Sequence, residues 1–323
     1  MSHPSAIESA PDEEPTPRVG FRAKLAKLAP YGEVCRPREW VKNLFLLAPL
    51  LFGGKISDLS AIAAAAWACA GFCLLSSAVY SVNDVIDAEA DRAHPRKRRR
   101  PVASGRASPG NVLAMAIVLA IAALGLMTMT GRVGVAICAG LYAGNSLLYV
   151  LVLKREAILD VLAIAIGFVL RLLAGCAAVA VDPSPWLLIC GFSLALLLGF
   201  GKRRLELANV DPASRFRPAL RAYSPEKLNL MLGVSASLCL LSYMLYAAAR
   251  ETVELHHTRD LIYTVPFVAY GVFRFLFQVQ DAVENNEASA VADGPADILL
   301  RDPIFAINAA LWVACSAAIL YWP

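Results

Sequence analysis

Histidine is scarce in this chain, with four residues in 323, and charged side chains make up only 17% of it. A soluble domain carries about a quarter charged residues, so a surface that faces water on every side is excluded. No Ser–His pair or other histidine constellation suggests a nucleophile with its base. The eight cysteines form no CxxC, and seven of them fall inside apolar stretches. That excludes a zinc knuckle or a disulfide framework and leaves them as small apolar packing residues. No cleavable leader is visible: residues 1–17 are polar, acidic and Pro-rich, which predicts a disordered tail. Long runs of alternating apolar and polar residues are also missing, and that excludes a membrane β-barrel.

What abounds is apolar side chain, 58% of the residues, gathered in blocks of about twenty, the length that crosses a bilayer as a helix. Nine blocks are predicted to span, at 43–56, 59–82, 110–130, 133–153, 157–181, 185–201, 228–249, 260–280 and 303–322. The fold class expected is therefore all-α, a polytopic integral membrane protein with nine transmembrane helices. The first block is short and holds Pro49, Gly53 and Gly54. With the N-terminus inside, 24 Lys and Arg fall on one side of the membrane and four on the other. This positive-inside bias puts the polar loops 83–109 and 202–227 in the cytoplasm, at the cell inner (plasma) membrane. Ahead of the spans, Phe21, Leu25 and Leu28 share a helical face from which Arg22, Lys24 and Lys27 are absent. That predicts an amphipathic surface helix over 18–30, followed by a single membrane domain over 31–323. Gly140 and Gly144 form a GxxxG, a signal for close helix packing within the chain or between copies in a homo-oligomer.

The densest chemistry lies in Asn83-Asp84-x-x-Asp87-x-x-x-Asp91, at the end of the second span and directly before Arg92, Arg96, Lys97, Arg98, Arg99 and Arg100. Aspartates at i, i+3 and i+7 fall on one helical face. Asp at a helix C-terminus opposes the dipole, and three on one face repel, so a bound cation removes both costs. Mg²⁺ is held by one or two carboxylates plus phosphate oxygens. Asp84, Asp87 and Asp91 are thus the candidate metal ligands, and Lys97, Arg98 and Arg100 the phosphate ligands. His94-Pro95 reads as a turn and helix stop rather than a base, with His94 kept beside the candidate substrate-binding residues.

Three further groups stand out. Arg36, Lys42 and Asn43 enter the first span beside Trp40, an interface anchor, where they can hold an anionic head group. Asp160, Gly167 and Arg171 share one face of the fifth span; charges at that depth face a cavity or a partner, and Asp160 and Arg171 are about 16 Å apart along the axis, too far to pair. Lys202, Arg203, Arg204 and Glu206 close the sixth span, and Lys154 lies between the fourth and fifth. Arg274, in the eighth span, carries the same intramembrane argument.

These residues resemble the UbiA superfamily of intramembrane transferases. The segments RPREWVKN (36–43), NDVIDAEADRAHPRKRRRPVASG (83–105), LKREAILDVLAIAIGFVLRLLAG (153–175), GKRRLEL (201–207) and YTVPFVAYGVFR (263–274) resemble in particular the decaprenyl-phosphate phosphoribosyltransferases. The resemblance implies a helical bundle with a cytoplasm-facing cavity open to lipid. It also implies Mg²⁺-dependent transfer of 5-phosphoribose from phosphoribosyl diphosphate (PRPP) to a polyprenyl phosphate, for cell-wall arabinan precursors, with no nucleic acid involved. The prenyl-transferring members resemble a two-site pattern with a second DxxxD after span six; here that position reads Lys202-Arg203-Arg204-Leu205-Glu206. On this reading Asp84, Asp87 and Asp91 hold Mg²⁺ on the diphosphate, and Asp160 stabilises positive charge at the ribose carbon. Two alternatives stand beside it. A prenyltransferase acting on an aromatic acceptor is opposed by the basic 202–204 cluster, and a lipid transporter or scaffold gives no reason for the clustered aspartates.

Overall fold

In a computed structural model the chain is described at residues 21–93, 97–208, 218–285 and 302–322. The predicted tail 1–17 lies outside those residues, as does His94. The described chain is helical, with no strand among its residues. Among the described residues eight helices are long and apolar enough to cross a membrane. We number the helices α1 (Phe21–Cys35), α2 (Ala48–Phe52), α3 (Leu59–Ile86), α4 (Ala88–Ala93), α5 (Pro109–Thr128), α6 (Val133–Leu151), α7 (Leu159–Val179), α8 (Pro185–Ala208), α9 (Pro225–Ala248), α10 (Arg250–His256), α11 (Val265–Glu284) and α12 (Pro303–Tyr321).

The first predicted span differs from the expectation. It is not one helix: a 3₁₀ segment, Pro37–Leu47, runs into the single turn of α2. Pro49 stands at the start of that turn and Gly53 at its end. A 3₁₀ helix rises about 2.0 Å per residue, so this segment covers more distance per residue than an α-helix does. It runs antiparallel to α3: Arg36 meets Asp84 near the C-terminal end of α3, and Leu50 packs with Ala61 near its start. The segment lies tight against α7 because Gly175 has no side chain. A Cβ there would stand 2.1 Å from the Leu46 carbonyl oxygen.

The central element is α7, with 67% of its apolar window buried, whereas α12 has 11%. Its composition explains this. Small residues Ala163, Ala165, Gly167, Ala174, Gly175 and Ala178 line it and admit neighbours closely. At Gly199 of α8 a Cβ would come within 2.6 Å of Val161 on α7. Large apolar side chains on α5, α6 and α12 (Ile117, Ile121, Leu141, Ile307) point outward, as lipid-facing surfaces do. Capping is local and conventional. Asp58, Ser108, Ser224 and Asp302 each accept a backbone N–H in the first turn of the helix that follows, and Pro at the start of α5, α9 and α12 costs no hydrogen bond.

Two boundaries bear on the site. The sixth predicted span ends at 201, but α8 continues to Ala208, which carries Lys202, Arg203, Arg204 and Glu206 into the helix; Arg203 and Arg204 are buried. Helix α1 runs from Phe21 to Cys35, past the end of the segment 18–30, and its Val34 packs with Ala88, Val102, Ala107 and Val112.

Candidate active site

The charged residues gather at the end of the bundle where α3 and α8 finish and α7 begins. α3 ends at Ile86; Asp87 adopts φ −88° and ψ 0°, and α4 starts at Ala88. This break separates the aspartates. Asp84 and Asp91 are buried, and Arg100 Nη1 reaches both, 3.4 Å from Asp84 Oδ1 and 2.7 Å from Asp91 Oδ2. Arg36 also pairs with Asp84. Asp87 turns to Lys154, which follows α6, at 2.5 Å. Asn83 is half-buried on α3, and Arg98 is exposed.

Whether such residues suit a divalent metal is a matter of donor chemistry. Hard carboxylate oxygens are Mg²⁺ ligands, and one cationic nitrogen already bridges Asp84 and Asp91. The same two carboxylates can therefore face a common positive centre. Among the described residues no three His, Cys, Asp or Glu side chains are drawn together around one point. The ligand set offered by the protein is Asp84 with Asp91, and Asp87 is held aside by Lys154.

A second group lies where α7, α8 and the segment before α9 meet. Asp160 is fully buried; its Oδ2 is 2.6 Å from Arg203 Nε, and its Oδ1 accepts the Tyr223 hydroxyl at 2.9 Å. Arg203, equally buried, pairs further with Glu206 and donates from Nη2 to the Tyr149 hydroxyl at 3.4 Å. Asp160 Oδ1 is thus hydrogen-bonded, while Oδ2 faces Arg203 Nε as an ion pair without hydrogen-bond geometry. Arg204 donates to Asn229 on α9 at 2.9 Å. Burial pushes the Tyr223 phenol up from its ordinary pKa, so it remains a protonated donor.

A third group is deeper. Arg171 of α7 donates to Asn43 Oδ1 (2.8 Å), to the Tyr142 hydroxyl (2.9 Å) and to the Gly167 carbonyl (3.0 Å). Its guanidinium carbon sits 4.6 Å from the centre of the Tyr142 ring and 5.3 Å from that of Phe168, distances at which aromatic faces attract cations. Asn43 is fixed in turn by Ser76 and Cys73, each at 3.3 Å. No carboxylate lies within 4 Å of Arg171 among the described residues, although it is 4% exposed. Asp160 and Arg171 have separate partners, as their axial spacing predicts.

Glu39 and Lys42 link the groups. They pair with each other, and Glu39 lies within electrostatic reach of Arg36 and Lys202, while Lys42 lies within that of Arg171. Lys202 lies within electrostatic reach of Lys42, Glu39, Glu206 and Arg203, with no carboxylate within 4 Å among the described residues. Lys42, paired with Glu39, thus lies within electrostatic reach of both Lys202 and Arg171. Arg274 stands apart: it pairs with Asp302 at 2.6 Å, beside Gln278. Glu39, Tyr142, Tyr149 and Tyr223 escape the sequence reading. For the tyrosines the signal was a phenol in or beside an apolar span, whose hydroxyl needs a partner once buried.

Comparison with known proteins agrees with this architecture. The chain is 30% identical over 301 residues to the decaprenyl-phosphate phosphoribosyltransferase of Mycolicibacterium smegmatis, covering 89% of this chain and 91% of that protein. It is 31% identical over 289 residues to the protein of the same name from Mycobacterium tuberculosis, covering 88% and 91%. In three dimensions it is similar to a UbiA homologue from Archaeoglobus fulgidus solved with DMAPP and Mg²⁺, with a TM-score of 0.61, 15% identity, and coverage of 91% of this chain and 99% of that one. The model of the UbiA prenyltransferase family matches residues 45–292, so this membrane-helical chain belongs to the UbiA prenyltransferase family.

Proposed function

We propose that this protein transfers 5-phosphoribose from PRPP to a polyprenyl phosphate, with release of diphosphate, at the cytoplasmic face of the cell membrane. One observation carries the reading. Where a second acidic motif would clamp a prenyl diphosphate, the end of α8 carries Lys202, Arg203 and Arg204, and Lys202 lies within electrostatic reach of Lys42, whose carboxylate partner is Glu39. Such a site suits an anionic acceptor, and the acidic motif suits a diphosphate donor. The curated relatives bear a name that fits this pair of substrates, and the product serves as a cell-wall arabinan precursor.

Asp84 and Asp91, with Asp87 beside them, would hold Mg²⁺ on the donor diphosphate. Once bound, the metal neutralises charge on the leaving diphosphate. Arg36 and Arg100, now paired with these carboxylates, are placed to take up diphosphate oxygens, with Lys97 and Lys154 adding positive charge nearby. Arg171, Lys42 and Lys202 hold the phosphate of the lipid, whose prenyl chain lies among the apolar helices. An oxygen of that phosphate forms the new bond to ribose C1 as the C1–diphosphate bond breaks. The attacking oxygen is already anionic, so no general base is needed and the scarcity of histidine fits. Asp160, hydrogen-bonded by the Tyr223 hydroxyl and paired with Arg203, acts by holding Arg203 rather than by facing the ribose.

The experiment is incubation of purified protein with labelled PRPP and polyprenyl phosphates, with and without Mg²⁺, beside a second arm holding a prenyl diphosphate and an aromatic acceptor. Mg²⁺-dependent label in the lipid fraction supports the proposal. Turnover only in the second arm replaces it with prenyl transfer, and turnover in neither arm rejects both.

A further inference from the structure

Tyr223 ends the polar connection that follows α8, two residues before α9, and is 4% exposed. Its hydroxyl is used twice: it accepts the backbone N–H of Ile158 at 2.6 Å and donates to Asp160 Oδ1 at 2.9 Å. Ile158 immediately precedes α7 and has φ 70° and ψ −51°. A β-branched residue rarely adopts positive φ, and such a turn persists only where its surroundings hold it. From Asp160 the chain of contacts passes to Arg203 and on to Glu206 and Tyr149. Phenol, carboxylate and guanidinium in series thus tie the connection before α9 to the start of α7 and the last turns of α8. Lys202 is the residue next to the buried guanidinium.

We propose that Tyr223 is a positioning residue for the acceptor-phosphate site: by holding Asp160 it fixes Arg203, and with Arg203 the placement of the adjacent Lys202 beside Lys42. The inference rests on the functional reading above. It assigns Tyr223 no contact with substrate. It predicts an effect confined to the acceptor, because the donor carboxylates Asp84 and Asp91 belong to α3 and α4 and are held by Arg36 and Arg100.

Tyr223→Phe removes the hydroxyl and keeps the ring. In the transfer assay the apparent KM for polyprenyl phosphate should rise about tenfold, the size of one lost hydrogen bond to a charged group, while the KM for PRPP stays within about twofold. Asp160→Asn should show the same split. The double variant should be no worse than the more affected single one, since residues in one network are not additive. Hydrogen exchange, which needs no turnover, should rise in Tyr223→Phe at both 158–162 and 201–206. Equal loss for donor and acceptor, wild-type kinetics in Tyr223→Phe, or additive single variants would each overturn the proposal. If the unaltered protein transfers no phosphoribose at all, the functional reading fails. The tether is then judged by exchange alone, and unchanged protection at 201–206 rejects it.

Discussion

Arg171→Met tests the acceptor site most directly. Arg171 is 4% exposed in the middle of a membrane bundle, and among the described residues it has no carboxylate within 4 Å, whereas Arg36 and Lys154 each have one and Arg203 has two. Removing an ion from water costs several kcal/mol even after relaxation. A structural arginine would recover that cost from a counter-charge; Arg171 has only neutral partners, Asn43, Tyr142 and the Gly167 carbonyl. A counter-charge supplied by substrate resolves the imbalance. Met matches the length of the stem without the charge. A lost charge-assisted contact is worth about 1.5–3 kcal/mol, and each 1.4 kcal/mol is about tenfold. The apparent KM for polyprenyl phosphate should therefore rise from about tenfold to roughly a hundredfold, with the KM for PRPP nearly unchanged. Stability moves in both directions. Asn43 and Tyr142 each lose a partner at about 1–3 kcal/mol, while the desolvated charge disappears, so the Tm in detergent should shift by a few degrees only. The assay is label transfer from PRPP to extractable lipid at varied acceptor, beside a thermal scan. An unchanged acceptor KM with a large fall in Tm would show that Arg171 is a packing strut and refute the argument.

Asp84→Asn and Asp91→Asn should each abolish transfer while the protein still elutes as a folded species, because a charged ligand is lost at nearly constant volume; near-normal turnover at limiting Mg²⁺ would remove the metal assignment. Lys42→Ala should raise the KM for polyprenyl phosphate about tenfold or more, and Lys97→Ala should raise that for PRPP instead; the reverse pattern would exchange the two subsites. Ser104→Cys, in a background without the native cysteines, should react with an impermeant thiol reagent only in opened or inverted vesicles. Ser104 is exposed at the charged end of the bundle, and its labelling from outside intact cells would invert the proposed orientation.

The helical fold was legible because its cause is one-dimensional. Backbone groups in lipid must be satisfied within the segment, so twenty apolar residues in a row dictate a helix whatever the neighbours are. The first predicted span shows where that rule runs out. Residues 37–52 are apolar enough to enter the bundle, but Pro37, Pro49 and Gly53 interrupt them, and their course as 3₁₀ then α is set by contact with Gly175 on another helix. No local signal in 37–52 records that a glycine more than a hundred residues later leaves room for the Leu46 carbonyl. The end of α8 was missed for a related reason. Lys202, Arg203 and Arg204 read as the point where a span must stop, yet Arg203 continues inside the helix because Asp160 and Glu206 are there to receive it.

The site divides along the same line. Residues whose charge is unusual for their depth, such as Asp84, Asp160 and Arg171, could be selected from sequence because an apolar setting makes any ion conspicuous. Their pairing could not, since each partner is remote in the chain: Arg36 for Asp84, Arg203 for Asp160, Asn43 for Arg171. This pairing changes the roles assigned. Spacing alone puts Asp84, Asp87 and Asp91 on one helical face, but the break at Asp87 and the reach of Lys154 leave Asp84 and Asp91 as the pair that shares a cation. Depth alone leaves Asp160 facing either a cavity or a partner, and the fold supplies partners, the Tyr223 hydroxyl and the Arg203 guanidinium. Among the described residues Arg171 and Lys202 are cations with no carboxylate within 4 Å, and the proposed anion site is inferred from them. That inference needs the count of partners around each charge, which only the folded arrangement supplies.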